Sequence, residues 1–116
     1  MPSRWSELVV DSQDPQRQAR FWAAVLDWEI EADGDEVEVM PRDGTGTTLL
    51  FVTAPEPKAG KNRLHIDLRP DDRDAEVERI LALGATRADV GQTGEESWVV
   101  LADPEGNEFC VLRPLS

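Results

Sequence analysis

Glu7-Leu8-Val9-Val10-Asp11 runs into Asp14-Pro15 and an apolar helical stretch ending near Trp28, and His65-Ile66-Asp67-Leu68-Arg69 runs into Asp71-Asp72 and a second helical stretch ending at Gly84. Each passage reads as a strand followed by a helix. Three short β-like runs follow each one: 28–32, 36–40 and 47–53 after the first, and 86–90, 97–102 and 108–113 after the second. Self-similarity of this kind marks a repeated supersecondary unit. The pattern predicts an α+β fold of two βαβββ modules in tandem, within a single domain of residues 1–116. The first module covers 1–53, the linker 54–62 and the second module 63–116. Ala54-Pro55-Glu56-Pro57-Lys58-Ala59-Gly60-Lys61-Asn62 has two Pro, a Gly and both lysines of the chain, a composition that suits a connector.

Local chemistry supports the two helices. Asp14 is placed to cap the first, with Pro15 at a position where a missing N–H costs nothing. Ala19, Trp22, Val25 and Leu26 recur at three- and four-residue steps and form one apolar face. The second helix starts from Asp71 or Asp72, buries Val77, Ile80, Leu81 and Leu83, and stops at Gly84. Asp33-Gly34, Asp43-Gly44 and Asp103-Pro104-Glu105-Gly106-Asn107 are turn sequences suited to joining antiparallel strands.

Successive strand residues point to opposite sheet faces. Leu64, Ile66 and Leu68 therefore share an apolar face, while His65 and Asp67 share the other. Phe109 and Val111 oppose Glu108, Cys110 and Leu112 in the same way. With helices over the apolar faces, a second face lined by His65, Asp67, Glu108 and Cys110 is left as a small-molecule cleft. Trp28 and Trp98 supply flat rings that can line it.

Composition bounds the function. The chain has 116 residues, with 12 Lys+Arg against 24 Asp+Glu and a formal net charge of −12. Such a charge opposes nucleic acid and anionic lipid surfaces, which are bound through clustered Lys and Arg. No apolar run approaches the roughly 20 residues of a membrane span, and the N-terminal residues are too polar for a signal peptide. One Cys cannot form an internal disulfide, which suits a reducing compartment, and a cytoplasmic location is expected. There is no glycine-rich phosphate loop, Walker lysine, Cys-x-x-Cys pair or serine nucleophile elbow.

Three stretches carry a resemblance. They are Phe21-Trp22-Ala23-Ala24-Val25-Leu26-Asp27-Trp28, Leu64-His65-Ile66-Asp67-Leu68, and Trp98-Val99-Val100-Leu101-Ala102-Asp103-Pro104-Glu105-Gly106-Asn107-Glu108-Phe109. With the duplication, they make the chain similar to the vicinal oxygen chelate superfamily of glyoxalases, bleomycin-resistance proteins and extradiol dioxygenases, and to its compact glyoxalase-like members. The resemblance implies curved mixed sheets around a concave cavity, often completed in a homodimer. It also implies a divalent metal held by His, Glu or Gln at the first and last strand of each module. Carried over, those positions are Glu7, Leu50, His65 and Cys110. Leu cannot ligate, and oxygen-rich octahedral sites cannot be rebuilt from this set.

The expectation is accordingly a domain that binds a small organic ligand without an obligatory catalytic metal. It serves sequestration or resistance, or acid/base chemistry with His65 and Glu7 as the catalytic pair. Trp28, Leu50, His65, Asp67, Trp98 and Cys110 are expected to contact the ligand. The alternative is a metal-dependent lyase, isomerase or dioxygenase that uses Glu7 and His65, with Cys110 or Glu108 completing the set and the metal acting on a pair of substrate oxygens.

Overall fold

The computed structural model describes residues 2–88 and 97–115. The chain divides into two compact units, Met1–Pro57 and Lys58–Ser116. In the first, β1 (Glu7–Ser12) leads to α1 (Pro15–Leu26), then to β2 (Glu29–Asp33), β3 (Glu36–Met40) and β4 (Thr48–Thr53). The sheet order is β1-β4-β3-β2, with β1 parallel to β4 and the remaining pairs antiparallel. The second unit repeats the plan with β5 (Ile66–Leu68), α2 (Arg73–Ala82), β6 (Thr86–Arg87), β7 (Val99–Ala102) and β8 (Glu108–Val111). Its order is β5-β8-β7-β6, again with one parallel pair, β5 to β8. The fold is α+β, two four-stranded mixed sheets with one helix each.

Both helices start on an aspartate. Asp14 accepts a hydrogen bond from the Arg17 backbone N–H at 3.2 Å, and Asp72 accepts one from that of Ala75 at 3.1 Å. Each bond satisfies a donor that the first helical turn cannot pair internally. α1 ends on Asp27 in the left-handed region (φ 56°), a conformation that aspartate tolerates better than most residues. Arg42 holds that end, donating from Nε to the Asp27 carbonyl (3.1 Å) and from its guanidinium to Asp27 Oδ1 (3.0 Å).

Each sheet buries one face against its helix. In unit 1, Ala19, Phe21, Trp22, Ala23 and Val25 of α1 are buried, together with Val37, Val39, Leu49 and Phe51 from the strands. Phe21 and Trp22 meet edge to face, their centroids 5.2 Å apart. In unit 2, Val77 and Ile80 of α2 are buried, as are Leu101, Phe109 and Val111.

The strands of unit 2 are shorter than their sequence suggests, and several side chains fall outside the elements expected to hold them. β5 begins at Ile66, so Leu64 lies ahead of the ladder and is 81 % exposed instead of buried. Leu83 sits at the helix C-cap, beyond the last packed turn, and is exposed. Trp28 and Trp98 each stand just before a strand and not within one. The first of the three runs after α2 gives the two-residue β6, and Asp89 and Val90 lie outside the described residues.

Candidate functional site

The parallel pairing in unit 2 sets Ile66 beside Phe109, Asp67 beside Cys110 and Leu68 beside Val111. Parity then decides the faces. Phe109 and Val111 go to the helix side, while Asp67 and Cys110 go to the other, joined by Val100, the partner of Cys110 on β7. His65 immediately precedes β5, two residues from Asp67. Its Nε2 lies 3.1 Å from Asp67 Oδ1, and both side chains are about half exposed. A donor atom from each of His65, Asp67 and Cys110 falls within 4.8 Å of the other two.

The electrostatics of this cluster keep the sulfur protonated. Burial, the nearby Asp67 charge and a hydrogen bond to the Asp67 carboxylate raise the Cys110 thiol above its ordinary value, while Lys61 pulls weakly the other way. Cys110 is only 8 % exposed. A thiol in this state lacks the depressed pKa that marks a nucleophilic cysteine. Val100 is also buried, and the half-exposed His65 and Asp67 sit at the β5 edge of the sheet.

Glu108, on the same face by parity, is committed elsewhere. Its Oε2 accepts from Lys58 Nζ at 3.1 Å and from the Asn62 backbone N–H at 3.3 Å. The Glu108 backbone N–H donates in return to Asn62 Oδ1 at 3.1 Å, and Asn62 Nδ2 donates to Asn107 Oδ1 at 3.1 Å. Burial would raise this carboxyl, but the hydrogen bonds from its own backbone, Lys58 and Asn62 outweigh it and hold the group below the usual glutamate range. Lys58 also donates to the Gly60 carbonyl. Residues read as a plain connector are therefore a clamp on β8. The sequence carries no signal for it, because the Asn62–Glu108 contact spans 46 positions.

The hairpin between β7 and β8 is fixed by a buried aspartate. Asp103 Oδ1 accepts from the backbone N–H groups of Glu105 and Asn107, both at 3.0 Å, and Oδ2 accepts from Asn107 Nδ2 at 3.2 Å. Gly106 takes a positive φ of 90°, which closes the turn. This hairpin sets where Glu108 and Cys110 enter the ladder.

The remaining expected site residues belong to unit 1. Glu7 opens β1 opposite Thr48 and is exposed. Leu50 pairs with Val9 on one side and Glu38 on the other, and it is half-buried. Trp28 is half-buried between α1 and β2, and Trp98 in unit 2 is 42 % exposed, immediately ahead of β7. Because Val9 pairs with Leu50 as Asp67 pairs with Cys110, the positions Glu7, Val9 and Leu50 in unit 1 match His65, Asp67 and Cys110 in unit 2.

The fold defines a class. The structure is similar to that of a glyoxalase/bleomycin resistance protein/dioxygenase family enzyme from Burkholderia phytofirmans PsJN, with 17 % identity, a TM-score of 0.75, and 95 % of this chain and 98 % of that one covered. It is also similar to a mutant fosfomycin resistance protein, FosX, from Listeria monocytogenes, complexed with Mn(II) and 1S,2S-dihydroxypropylphosphonic acid. There the identity is 19 %, the TM-score 0.73, and the coverage 97 % of this chain and 90 % of that one. TnmS3, an antibiotic binding protein from Streptomyces sp. CB03234, matches at 24 % identity and a TM-score of 0.64, with 98 % of both chains covered. No curated protein sequence matches the chain. Residues 7–112 match the family described as the glyoxalase-like domain, and the chain belongs to that family.

A divalent metal is implied by the superfamily, and the side chains at the relevant positions test whether it fits. Unit 1 offers one carboxylate, at Glu7, and no donor at Leu50. Unit 2 offers imidazole and thiol, with Asp67 adding a carboxylate. An oxygen-rich set for Mg²⁺ or Mn²⁺ does not fit, whereas a mixed nitrogen, oxygen and sulfur set is present in unit 2.

Proposed function

We propose that this glyoxalase-like domain binds a small organic molecule in a concave cavity against the sheet face that carries His65, Asp67, Cys110 and Trp98, with no catalytic metal needed for binding. The observation that carries this reading is a half-exposed imidazole and carboxylate, 3.1 Å apart, beside the buried Cys110 at the β5 edge of the sheet. Binding sites of this kind combine apolar area with a few oriented polar groups. His65 and Asp67 orient polar atoms of the ligand, and Trp98 stacks on a planar part of it. Leu50, which has no donor where the superfamily places a metal ligand, supports independence from metal. An antibiotic binding protein among the structural neighbours makes sequestration the natural role. The domain acts in the cytoplasm as a homodimer, and with a net charge of −12 it has no affinity for nucleic acid or anionic membranes.

A thermal-shift screen of metabolites and antibiotics in the presence of a chelator tests this, because a ligand specific for the native state raises the melting temperature by mass action. For a hit, Trp98→Ala and His65→Ala are each expected to weaken binding at least about tenfold, the equivalent of about 1.4 kcal/mol. Unchanged affinity in both variants rejects the site.

A second reading is a metal-dependent lyase, isomerase or dioxygenase. The close approach of three ligating side chains in unit 2 favours it. It requires stoichiometric metal in the purified protein that is lost with His65→Ala.

A further inference from the structure

We infer, resting on the organic-ligand reading of this edge, that Asp67 sets which headgroup binds there. It holds the edge as a cluster of hydrogen-bond acceptors, so the ligand presents a neutral or cationic hydrogen-bond donor and not an anion. Hydroxyl and ammonium groups meet that requirement. Carboxylates and phosphonates do not.

The direction of the hydrogen bonds fixes the role of each atom. An ionised carboxylate only accepts, so the 3.1 Å contact with Asp67 Oδ1 makes His65 Nε2 the donor. The Cys110 thiol gives its own proton to the same carboxylate. In a neutral imidazole that donates from Nε2, the other nitrogen, Nδ1, is an acceptor. Among the described residues, none hydrogen-bonds to that nitrogen. A carboxylate has about four lone-pair sites, so with two of them taken Asp67 still accepts, and its side chain is half exposed.

Donors around Glu108, two residues before Cys110 on β8, are already engaged. Lys58 Nζ is held by Glu108 Oε2 and the Gly60 carbonyl. The Asn62 N–H goes to Glu108, its side-chain amide to Asn107, and the Glu108 N–H to Asn62. Glu108 and Lys58 offset each other as charges, and the Cys110 thiol is neutral, so a headgroup at this edge meets the charge of Asp67. Lys61 is exposed and acts on the Cys110 thiol more weakly than Asp67 does. An anion here would give up water, face a like charge and supply no proton to Nδ1 or Asp67. A hydroxyl or ammonium supplies one.

His65 is the one histidine of the chain, so its imidazole signals can be followed in isolation by NMR. The full chain, kept reduced with a chelator present and held well above the ordinary imidazole pKa of about 6.5, is titrated with phenol, benzylammonium and benzoate. The three probes share a ring and differ in headgroup. Phenol and benzylammonium are expected to shift the His65 signals and to bind at least about fivefold more tightly than benzoate, which lacks a donor and meets a half-exposed like charge. Asp67→Asn keeps the size and removes the charge; it should weaken benzylammonium, strengthen benzoate and narrow the gap. Long-range proton–nitrogen spectra should place the wild-type imidazole proton on Nε2. Benzoate binding as tightly as the other probes overturns the inference, as does a proton resident on Nδ1. Equal weakening of all three probes by Asp67→Asn also overturns it, because Asp67 would then serve structure alone. If that variant does not fold, the wild-type order of the probes decides. A shift of His65 with the wrong order of probes overturns the inference and leaves the site standing, whereas no shift with any probe removes both.

Discussion

On the sheet face turned away from its helix, the paired row across unit 1 reads Val9, Leu50, Glu38 and Glu31. The same row across unit 2 reads Asp67, Cys110 and Val100, and then Ala88, whose N–H donates to the Val100 carbonyl. Both units have the same strand order and register, yet polarity runs in opposite directions. In this row unit 1 has its carboxylates on β3 and β2 and an apolar residue, Val9, on β1. In its row unit 2 has its carboxylate, Asp67, on the β5 edge with His65 just ahead of it, and an apolar residue, Val100, on β7. Only the β1 or β5 edge can bring residues i and i+2 of one strand beside a residue of the parallel neighbour. In unit 1 those places hold Glu7, Val9 and Leu50, which include one donor; in unit 2 all three are donors. Duplicating a scaffold does not duplicate a site.

If the two units are equal as scaffolds and unequal only in their chemistry, their cores should fail alike. Phe51 and Phe109 are both about 1 % exposed and both lie on the helix-facing side. Phe51→Ala and Phe109→Ala are each expected to lower stability by roughly 3–5 kcal/mol, the range for removing a buried aromatic ring. Chemical denaturation of the two variants measures this. A loss confined to one unit would break the equivalence.

The hairpins should not behave alike. Asp103 is buried and its carboxylate accepts from Glu105 and Asn107, whereas Asp43, in the corresponding β3–β4 connection, is exposed and accepts from the N–H and hydroxyl of Thr45. Asp103→Ala is expected to cost roughly 1–3 kcal/mol by leaving buried donors unsatisfied, and Asp43→Ala to leave the melting temperature nearly unchanged. The hydrogen bonds from Thr45 do hold the Asp43 carboxyl below its ordinary value, but in open solvent. Equal shifts in the two variants would show that burial does not govern these turns.

The helix caps restore the symmetry at a smaller scale. Asp14→Ala and Asp72→Ala should each destabilise by about 1 kcal/mol, and the corresponding Asn variants by less. Differential scanning calorimetry resolves both. These caps were legible in the sequence because Glu7 to Asp14 and His65 to Asp72 are the same step, and the register followed from it. Strand parity likewise sufficed to put His65, Asp67 and Cys110 on one face. Two things were not legible. Strand ends depend on where the ladder runs out of partners, so Leu64 and Leu83, apolar by letter, end up exposed. The withdrawal of Glu108 depends on Lys58 and Asn62, and the proline-flanked composition around them reads as a connector whatever they touch. Non-local polar contacts leave no periodicity behind.

The smallest difference lies one turn into the helices. Four residues beyond Asp72 stands Glu76, whose carboxylate takes two bonds from Arg79, Nε to Oε1 at 2.7 Å and Nη2 to Oε2 at 2.8 Å. Four residues beyond Asp14 stands Gln18, fully buried. Hydrogen bonds from Arg79 hold the Glu76 carboxyl below its ordinary value despite partial burial. A carboxyl whose folded pKa is depressed contributes stability that is fully present above its unfolded value, about 4.3, and that is lost as pH falls through the folded value. Glu76→Gln is therefore expected to destabilise the chain by roughly 0.2–0.5 kcal/mol at neutral pH, as for a surface pair three residues apart. The gap to the wild type should close as the medium is acidified below the ordinary glutamate range. High salt should shrink the same gap, because an exposed guanidinium is screened. A gap that persists unchanged at low pH would mean that Glu76 acts through packing and not through its charge.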